Sequence, residues 1–336
     1  MSRTVTKSRL FVLPLLLGFH FGMTQFGAQA QPAITEKLLT SIVEVTAEVP
    51  GDARTACFLG AKRQGSGIVI DCDGLVLTVG YLILEASSVE IGHSDGRKSP
   101  ARLIAYDHET GLGLLRATEK LDVEALPLGD SDTAVMRQQV LVAAHGGVSQ
   151  ASGGYVMSRR DFAAAWEYML ENAIFTAPPH PQFGGAALID GDGKLIGVGS
   201  LMVPNAAGEN AAMPVNMFLP INVLKPILGE LLANGGSSRR PRQWLGLYSE
   251  ELRGRLFVTR VPVGGPAHNA GLQPGNMVLG INDKPVAGLK DYYRKLWSLG
   301  QAGIQVPLIV LRGITPTRYV IKSMDRRDWF RTPPGH

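Results

Sequence analysis

Short strand-like segments separated by turn residues run along most of the first two thirds of the chain. Apolar and β-branched residues dominate each segment, and Gly, Asp and Pro stand between them. The segments are 40–49, 67–71, 75–79, 88–92, 101–106 and, after a turn at 190–193, 194–199. Many short strands at close spacing are typical of a β-sandwich or barrel. The sequence therefore predicts a mostly β fold, with one helix candidate in this region at 161–172, which is rich in Ala, Trp, Met and Leu.

The first 30 residues have the three parts of a secretory signal peptide. Arg3, Lys7 and Arg9 precede an apolar run over 10–23, and Ala28-Gln29-Ala30 supplies the small residues of a cleavage site. The apolar run is shorter than the about 20 residues that a spanning helix needs. We expect export with cleavage after Ala30 and no stable membrane span afterwards, with an uncleaved N-terminal anchor as the alternative.

Charge and residue spacing exclude several functional classes. The formal net charge of +4 falls to about +1 without the three basic residues of the N-terminal segment, which gives no argument for nucleic acid binding. No cluster of His, Cys and acidic residues has the spacing of a metal site, and no glycine loop has a phosphate-binding pattern. We therefore expect neither a metal nor a cofactor.

The chain has two cysteines, Cys57 and Cys72, and both flank a segment predicted to be a hairpin with its turn near Gln64-Gly65. Arms of similar length would bring the two thiols opposite each other. In an oxidising compartment this arrangement predicts one disulfide. Two half-buried free thiols are the alternative, and neither cysteine has a neighbouring base that would make it catalytic.

Three segments in order along the chain carry recognisable motifs: GSGIVID (65–71) with LTVGYLI (77–83), AYDHETGLGLL (105–115) and PQFGGA (181–186). Together they resemble the HtrA/Deg family of trypsin-like serine proteases, which holds its catalytic His, Asp and Ser in these motifs. Here those positions are Tyr81, Gly111 and Phe183. The position whose backbone N–H would help to form the oxyanion hole is Pro181, which has no N–H.

These replacements remove the groups that nucleophilic hydrolysis requires. Phe183 cannot attack a carbonyl, the Tyr81 phenol is protonated at neutral pH, and Gly111 has no side chain to orient a base. The resemblance therefore implies a protease scaffold without catalytic activity. Two alternatives stay open: an active serine endopeptidase of the same type with a different triad, and a holdase chaperone that uses the apolar cleft around Tyr81 and Phe183.

A second module follows a Gly-, Ser- and Arg-rich linker over 234–243. Its motifs are Trp244-Leu245-Gly246-Leu247 and GPAHNAGLQPGNMVLGIN (265–282), which resemble the PDZ domain of HtrA/Deg proteins. The resemblance implies peptide binding by strand addition, with backbone N–H groups of 244–247 holding a terminal carboxylate. A groove helix over 289–299 would present Tyr293 and Leu296, and core packing is the alternative for Leu296.

The expected architecture is a trypsin-like double β-barrel followed by a C-terminal PDZ domain of α+β type. Its predicted parts are a signal peptide at 1–30, a degenerate protease-fold domain at 31–233, a linker at 234–243, a PDZ domain at 244–326 and a tail at 327–336. The resemblance implies an exported, periplasmic protein that binds peptides or protein C-termini and that forms homo-oligomers or pairs with an active relative.

Overall fold

The computed structural model describes residues 36–93, 95–204 and 213–331. The predicted signal peptide and its cleavage site after Ala30 lie outside these residues. Within them, no helix has both the length and the apolar character that crossing a membrane would require.

Six antiparallel strands close into a first barrel in the order β1-β2-β3-β6-β5-β4. The strands are β1 (Ile42–Glu48), β2 (Lys62–Val69), β3 (Leu75–Val79), β4 (Ser88–Gly92), β5 (Lys98–Tyr106) and β6 (Leu112–Ala117), with the short helices α1 (Glu36–Leu39) and α2 (Ala56–Leu59). All five residues of β3 are buried, which accounts for its unbroken apolar run. β3 and β4 have the predicted bounds.

A second closed barrel has the strand order β10-β11-β12-β9-β8-β7. Its elements are β7 (Gln139–Ala143), β8 (Ala151–Ala164), β9 (Tyr168–Ala177), β10 (Ala187–Ile189), β11 (Leu195–Val203), β12 (Val215–Pro220) and the helix α3 (Leu228–Asn234). One core cluster contains buried apolar residues of both barrels, and a second, smaller cluster lies within the second barrel.

The helix predicted at 161–172 is wrong, because this segment is the tip of the β8–β9 hairpin. Ala164 pairs with Tyr168, and Glu167 in the turn between them has a left-handed φ of 55°. Ala, Leu and Met have high helix propensity, but cross-strand pairing with the rest of the sheet outweighs it here.

The C-terminal domain is built on the sheet β14-β15-β16-β18-β19, with one short strand added to β16. Its strands are β13 (Gln243–Trp244), β14 (Tyr248–Leu252), β15 (Arg255–Arg260), β16 (Met277–Ile281), β17 (Lys284–Pro285), β18 (Gln305–Arg312), β19 (Thr315–Lys322) and β20 (Met324–Asp325), and its helices are α4 (Pro266–Asn269) and α5 (Leu289–Ser298). β13 and β20 form a separate pair. The helix predicted at 289–299 is present as α5.

The predicted Cys57–Cys72 disulfide is not formed: both thiols are free and exposed. Cys57 lies in α2, and Cys72 follows the far end of β2. The hairpin expected near Gln64-Gly65 does not exist, because β2 runs through these residues as one strand of eight residues. A strand of that length separates its ends by about 25 Å, whereas a disulfide needs Cα atoms within about 7 Å.

Candidate functional site

Tyr81, at the predicted base position, lies in a 3-10 turn over Gly80–Leu82 directly after β3. Its hydroxyl donates a hydrogen bond of 3.0 Å to the carbonyl of Ser200 in β11 of the other barrel. Burial raises the pKa of the Tyr81 phenol well above its ordinary value. The side chain is therefore a protonated donor that links the two barrels.

Gly111 lies in the loop between β5 and β6 with a left-handed φ of 79°. Its carbonyl accepts a 2.7 Å hydrogen bond from the Gly80 amide, next to Tyr81. A Cβ atom at position 111 would lie 3.3 Å from the Tyr168 hydroxyl, which is itself bonded to the Thr110 carbonyl at 2.8 Å. An aspartate at this position would thus need both an unfavourable backbone conformation and a shift of Tyr168.

In the loop that carries Phe183, three backbone amides are already bonded within the protein. The amides of Gln182, Gly185 and Ala186 donate to His180 Nδ1, the Gly199 carbonyl and the Phe183 carbonyl, at 3.1, 2.8 and 3.1 Å. Pro181 is exposed and has no N–H to offer. Positions 181, 182, 185 and 186 therefore offer no free backbone N–H to an anion.

The structure brings the three predicted triad positions together. The hydrogen bond between Gly80 and Gly111 joins the first two, and a Cβ atom on Gly184, next to Phe183, would lie 2.9 Å from the Tyr81 hydroxyl. The three positions are therefore neighbours in the cleft, but they carry a phenol (Tyr81), a hydrogen atom (Gly111) and a phenyl ring (Phe183).

A Ser, His and Glu arrangement that sequence reasoning missed lies behind this loop. Ser66 Oγ is 3.1 Å from His145 Nδ1, and His145 Nε2 is 4.0 Å from a carboxylate oxygen of Glu44. Ser66 is fully buried, and its hydroxyl also accepts the His145 amide at 3.0 Å. No substrate can reach this hydroxyl, so the arrangement is structural. Its members are far apart in sequence, and no local pattern could have indicated it.

The predicted carboxylate-binding loop, Trp244-Leu245-Gly246-Leu247, does bind a carboxylate, which belongs to Glu167 of the same chain. The amides of Leu245 and Leu247 donate to the two oxygens of Glu167 at 2.9 and 2.7 Å. Gly246 between them has a φ of 72°, and a Cβ atom there would lie 3.2 Å from the Trp244 ring. The loop conformation thus requires a glycine, as the motif indicates.

The other two predicted groove residues, Tyr293 and Leu296, lie on α5 and are fully buried. The Tyr293 hydroxyl donates to the Ala164 carbonyl at 2.6 Å and accepts the Glu167 amide at 3.0 Å. Leu296 belongs to the core of the C-terminal domain, which matches the core-packing alternative. Glu167 itself was not identified from the sequence, because its partners lie 78 and 80 residues away.

Burial raises the pKa of the Glu167 carboxyl from its ordinary 4.5 to about 7, although the hydrogen bonds from Leu245 and Leu247 and the charge of Arg326 act to lower it. The phenols of Tyr292 and Tyr293 also face this carboxyl, and burial raises the pKa of both well above the ordinary value. Only the carboxyl therefore titrates near neutral pH in this cluster.

This burial predicts a pH-dependent stability. Between about pH 4.5 and pH 7 the folded protein keeps a proton on Glu167 that the unfolded chain has lost, so the free energy of unfolding falls as the pH rises through this window. The contribution is on the order of 3 kcal/mol, since each tenfold change in proton affinity corresponds to about 1.4 kcal/mol. Urea unfolding at pH 5 and pH 8 measures it, with Glu167→Gln as the reference that lacks the titration. Equal pH dependence in both proteins would contradict the prediction.

Among the described residues, no group of three or more His, Cys, Asp or Glu side chains is placed to hold a metal ion.

Comparison with known proteins identifies both halves of the chain. Residues 65–198 match the trypsin-like peptidase domain family and residues 257–312 match the PDZ domain family. The chain is 26% identical over 239 residues to a probable periplasmic serine endoprotease DegP-like of Pseudomonas fulva, covering 67% of this chain and 48% of that protein. It is 28% identical over 298 residues to the mitochondrial serine protease HTRA2 of Drosophila grimshawi, covering 78% and 66%. The chain spans about half the length of the DegP-like relatives it matches.

Solved structures share the fold. The HtrA-type protease AlgW with a decapeptide has a TM-score of 0.53 and 19% identity, covering 90% of this chain and 98% of that one. A serine endoprotease from Yersinia pestis has a TM-score of 0.51 and 21% identity, covering 87% and 96%. The predicted mostly β fold, a trypsin-like double barrel followed by a PDZ domain, is therefore confirmed. Both domain families in this order, together with the HtrA relatives and HtrA-type structures, support the assignment of the chain to the HtrA/Deg family.

Proposed function

We propose that the protein is an exported, catalytically inactive HtrA/Deg protein that acts by binding peptides or protein partners through its PDZ domain. The observation that carries this proposal is the hydrogen bond from the Tyr81 hydroxyl to the Ser200 carbonyl. Because of this bond, the Tyr81 side chain at the base position forms a structural contact between the barrels. Phe183 beside it offers no nucleophile, and Pro181 offers no oxyanion donor.

An active protease with another triad would need an exposed serine beside a base. Among the described residues, two serines lie within hydrogen-bond reach of a histidine, Ser66 and Ser99, and both are buried. Ser66 has a histidine within hydrogen-bond reach, but its hydroxyl is fully buried. The curated relatives are named a serine endoprotease and a serine protease, and proteolysis by a serine requires an exposed, activated hydroxyl.

The binding role rests on the PDZ domain and on the carboxylate-holding geometry of 244–247. Export to the periplasm is supported by the signal-peptide pattern of the first 30 residues and by the periplasmic DegP-like relatives. The proposed partners are peptides or protein C-termini, with homo-oligomers or pairing with an active relative as possible assemblies.

The inactivity is tested with a fluorophosphonate probe and with casein. We expect neither covalent labelling nor hydrolysis, because the serines that contact a histidine within the described residues are both buried. Loss of the nucleophile or base alone lowers protease rates by on the order of 10⁶. An active DegP-like protease in the same assay is the positive control. Labelling of any serine within the two barrels would overturn the proposal.

A further inference from the structure

We propose that the tip of the β8–β9 hairpin, residues 163–169, occupies the peptide groove of the PDZ domain as an internal ligand. The Glu167 side chain takes the place of a terminal carboxylate, so a peptide binds in trans only after this tip leaves the groove. The inference rests on the proposed peptide-binding function and adds the regulation of that site.

The carboxylate end of the groove is already filled. The amides of Leu245 and Leu247 each donate to a different oxygen of Glu167, at 2.9 and 2.7 Å. A terminal carboxylate would use the same backbone donors. Two carboxyl groups cannot share them, because each N–H is already directed at one oxygen of Glu167.

The strand-addition edge is also occupied. β14 is the edge strand of its sheet, next to α5 in the groove. At its start the Ser249 amide donates to the Ala165 carbonyl at 3.0 Å. On the helix side, the Tyr293 hydroxyl bridges the Ala164 carbonyl and the Glu167 amide. The hairpin tip thus makes polar contacts to both walls of the groove.

Apolar contacts complete the docking. Met169, at the start of β9, is buried in the core of the C-terminal domain, and Ala163 at the end of β8 packs against the same core. The tip therefore supplies a carboxylate, a backbone acceptor and apolar side chains, which are the three features of a peptide ligand in strand addition.

The docked tip also carries unfavourable features that favour release. Glu167 has a left-handed φ of 55° and is 6% exposed, so its carboxyl is held in a strained turn away from water. An external peptide binds only the molecules whose tip is released, so its apparent Kd falls as the fraction of released molecules rises. Removing the Glu167 carboxylate should therefore raise that affinity.

The test measures binding of a fluorescent peptide that ends in an apolar residue with a free carboxylate. The proteins are the full chain and its variants Glu167→Ala and Glu167→Gln, with Glu171→Ala as the matched control, because Glu171 is exposed on the same hairpin. We expect Kd to fall at least tenfold for Glu167→Ala, or about 1.4 kcal/mol. Glu167→Gln should show a smaller decrease, and Glu171→Ala should match the wild type. Amidation of the peptide should abolish the gain.

Amide hydrogen exchange provides a readout that does not depend on the peptide. The Leu245 and Leu247 amides should exchange slowly in the wild type and in Glu171→Ala but faster in Glu167→Ala, while barrel amides such as that of Val198 stay equally protected and so report an intact fold. If Glu167→Ala does not fold, the same comparison with Glu167→Gln decides.

The outcomes separate the two proposals. Unchanged exchange at Leu245 and Leu247 in a folded variant, or equal peptide affinity in wild type and Glu167→Ala, would overturn the internal-ligand inference and leave peptide binding standing. Faster exchange without peptide binding in any variant would support the internal ligand and overturn the proposed binding of peptides in trans. A gain that persists with the amidated peptide would show that the loop does not select a carboxylate, which also overturns the inference.

Discussion

The triple variant Tyr81→His, Gly111→Asp and Phe183→Ser is expected to hydrolyse a fluorogenic casein at least about 100-fold more slowly than the same variant with Pro181→Gly added. The three substitutions restore the residue types of the base, the orienting acid and the nucleophile. Pro181 still withholds a backbone donor from the developing oxyanion, and loss of one such donor lowers kcat by about 10² to 10³.

The backbone at Gly111 limits the fourfold variant as well. Its φ of 79° disfavours an aspartate, and the new side chain would meet the Tyr168 hydroxyl. We therefore expect a turnover above background but below that of an active DegP-like protease. Pro181→Gly alone is the control and should stay inactive. A triple variant that equals the fourfold variant would contradict the oxyanion argument.

Arg63→Met is expected to lower the free energy of unfolding by about 3–5 kcal/mol. Arg63 is 4% exposed, and its guanidinium donates to the carbonyls of Tyr81 and Leu84, both at 2.8 Å, and to the Thr55 hydroxyl at 2.7 Å. Thr55 in turn donates to the buried carboxylate of Glu85. Methionine would leave the carbonyls without these donors and remove the favourable charge interaction with Glu85.

Urea unfolding with equal m-values measures this loss. Arg102→Ala is the matched control, because Arg102 is exposed on β5, and substitutions of exposed residues usually change stability by less than about 0.5 kcal/mol. An Arg63→Met protein within about 1 kcal/mol of the wild type would show that the carbonyls find other donors.

Local patterns predicted the elements whose burial is uniform or simply alternating. β3 is buried at every residue and β4 begins with alternating exposed and buried residues, so both have the predicted bounds. The helix α5 was recognised from its position in the PDZ motif order. The segment at 161–172 was misassigned because its residues favour a helix locally, while the pairing of Ala164 with Tyr168 depends on the whole second barrel.

Residue identity by itself determined what the barrels lack. In no fold can Phe183 act as a nucleophile, Gly111 orient a base or Pro181 donate an N–H, so these conclusions needed only the motif positions. The positive-φ glycine of the loop at 244–247 was likewise indicated by its motif, since only a residue without a side chain fits there.

The tertiary structure alone decided which groups meet. β2 is one extended strand, so Cys57 and Cys72 lie at its opposite ends and cannot pair. Glu167 reaches the amides of Leu245 and Leu247 across 78 and 80 residues of sequence. The physical reason is the same in both cases: a sequence pattern reports the local backbone, whereas the distance between remote side chains depends on how the strands are arranged in the barrels and on how the PDZ domain packs against the hairpin.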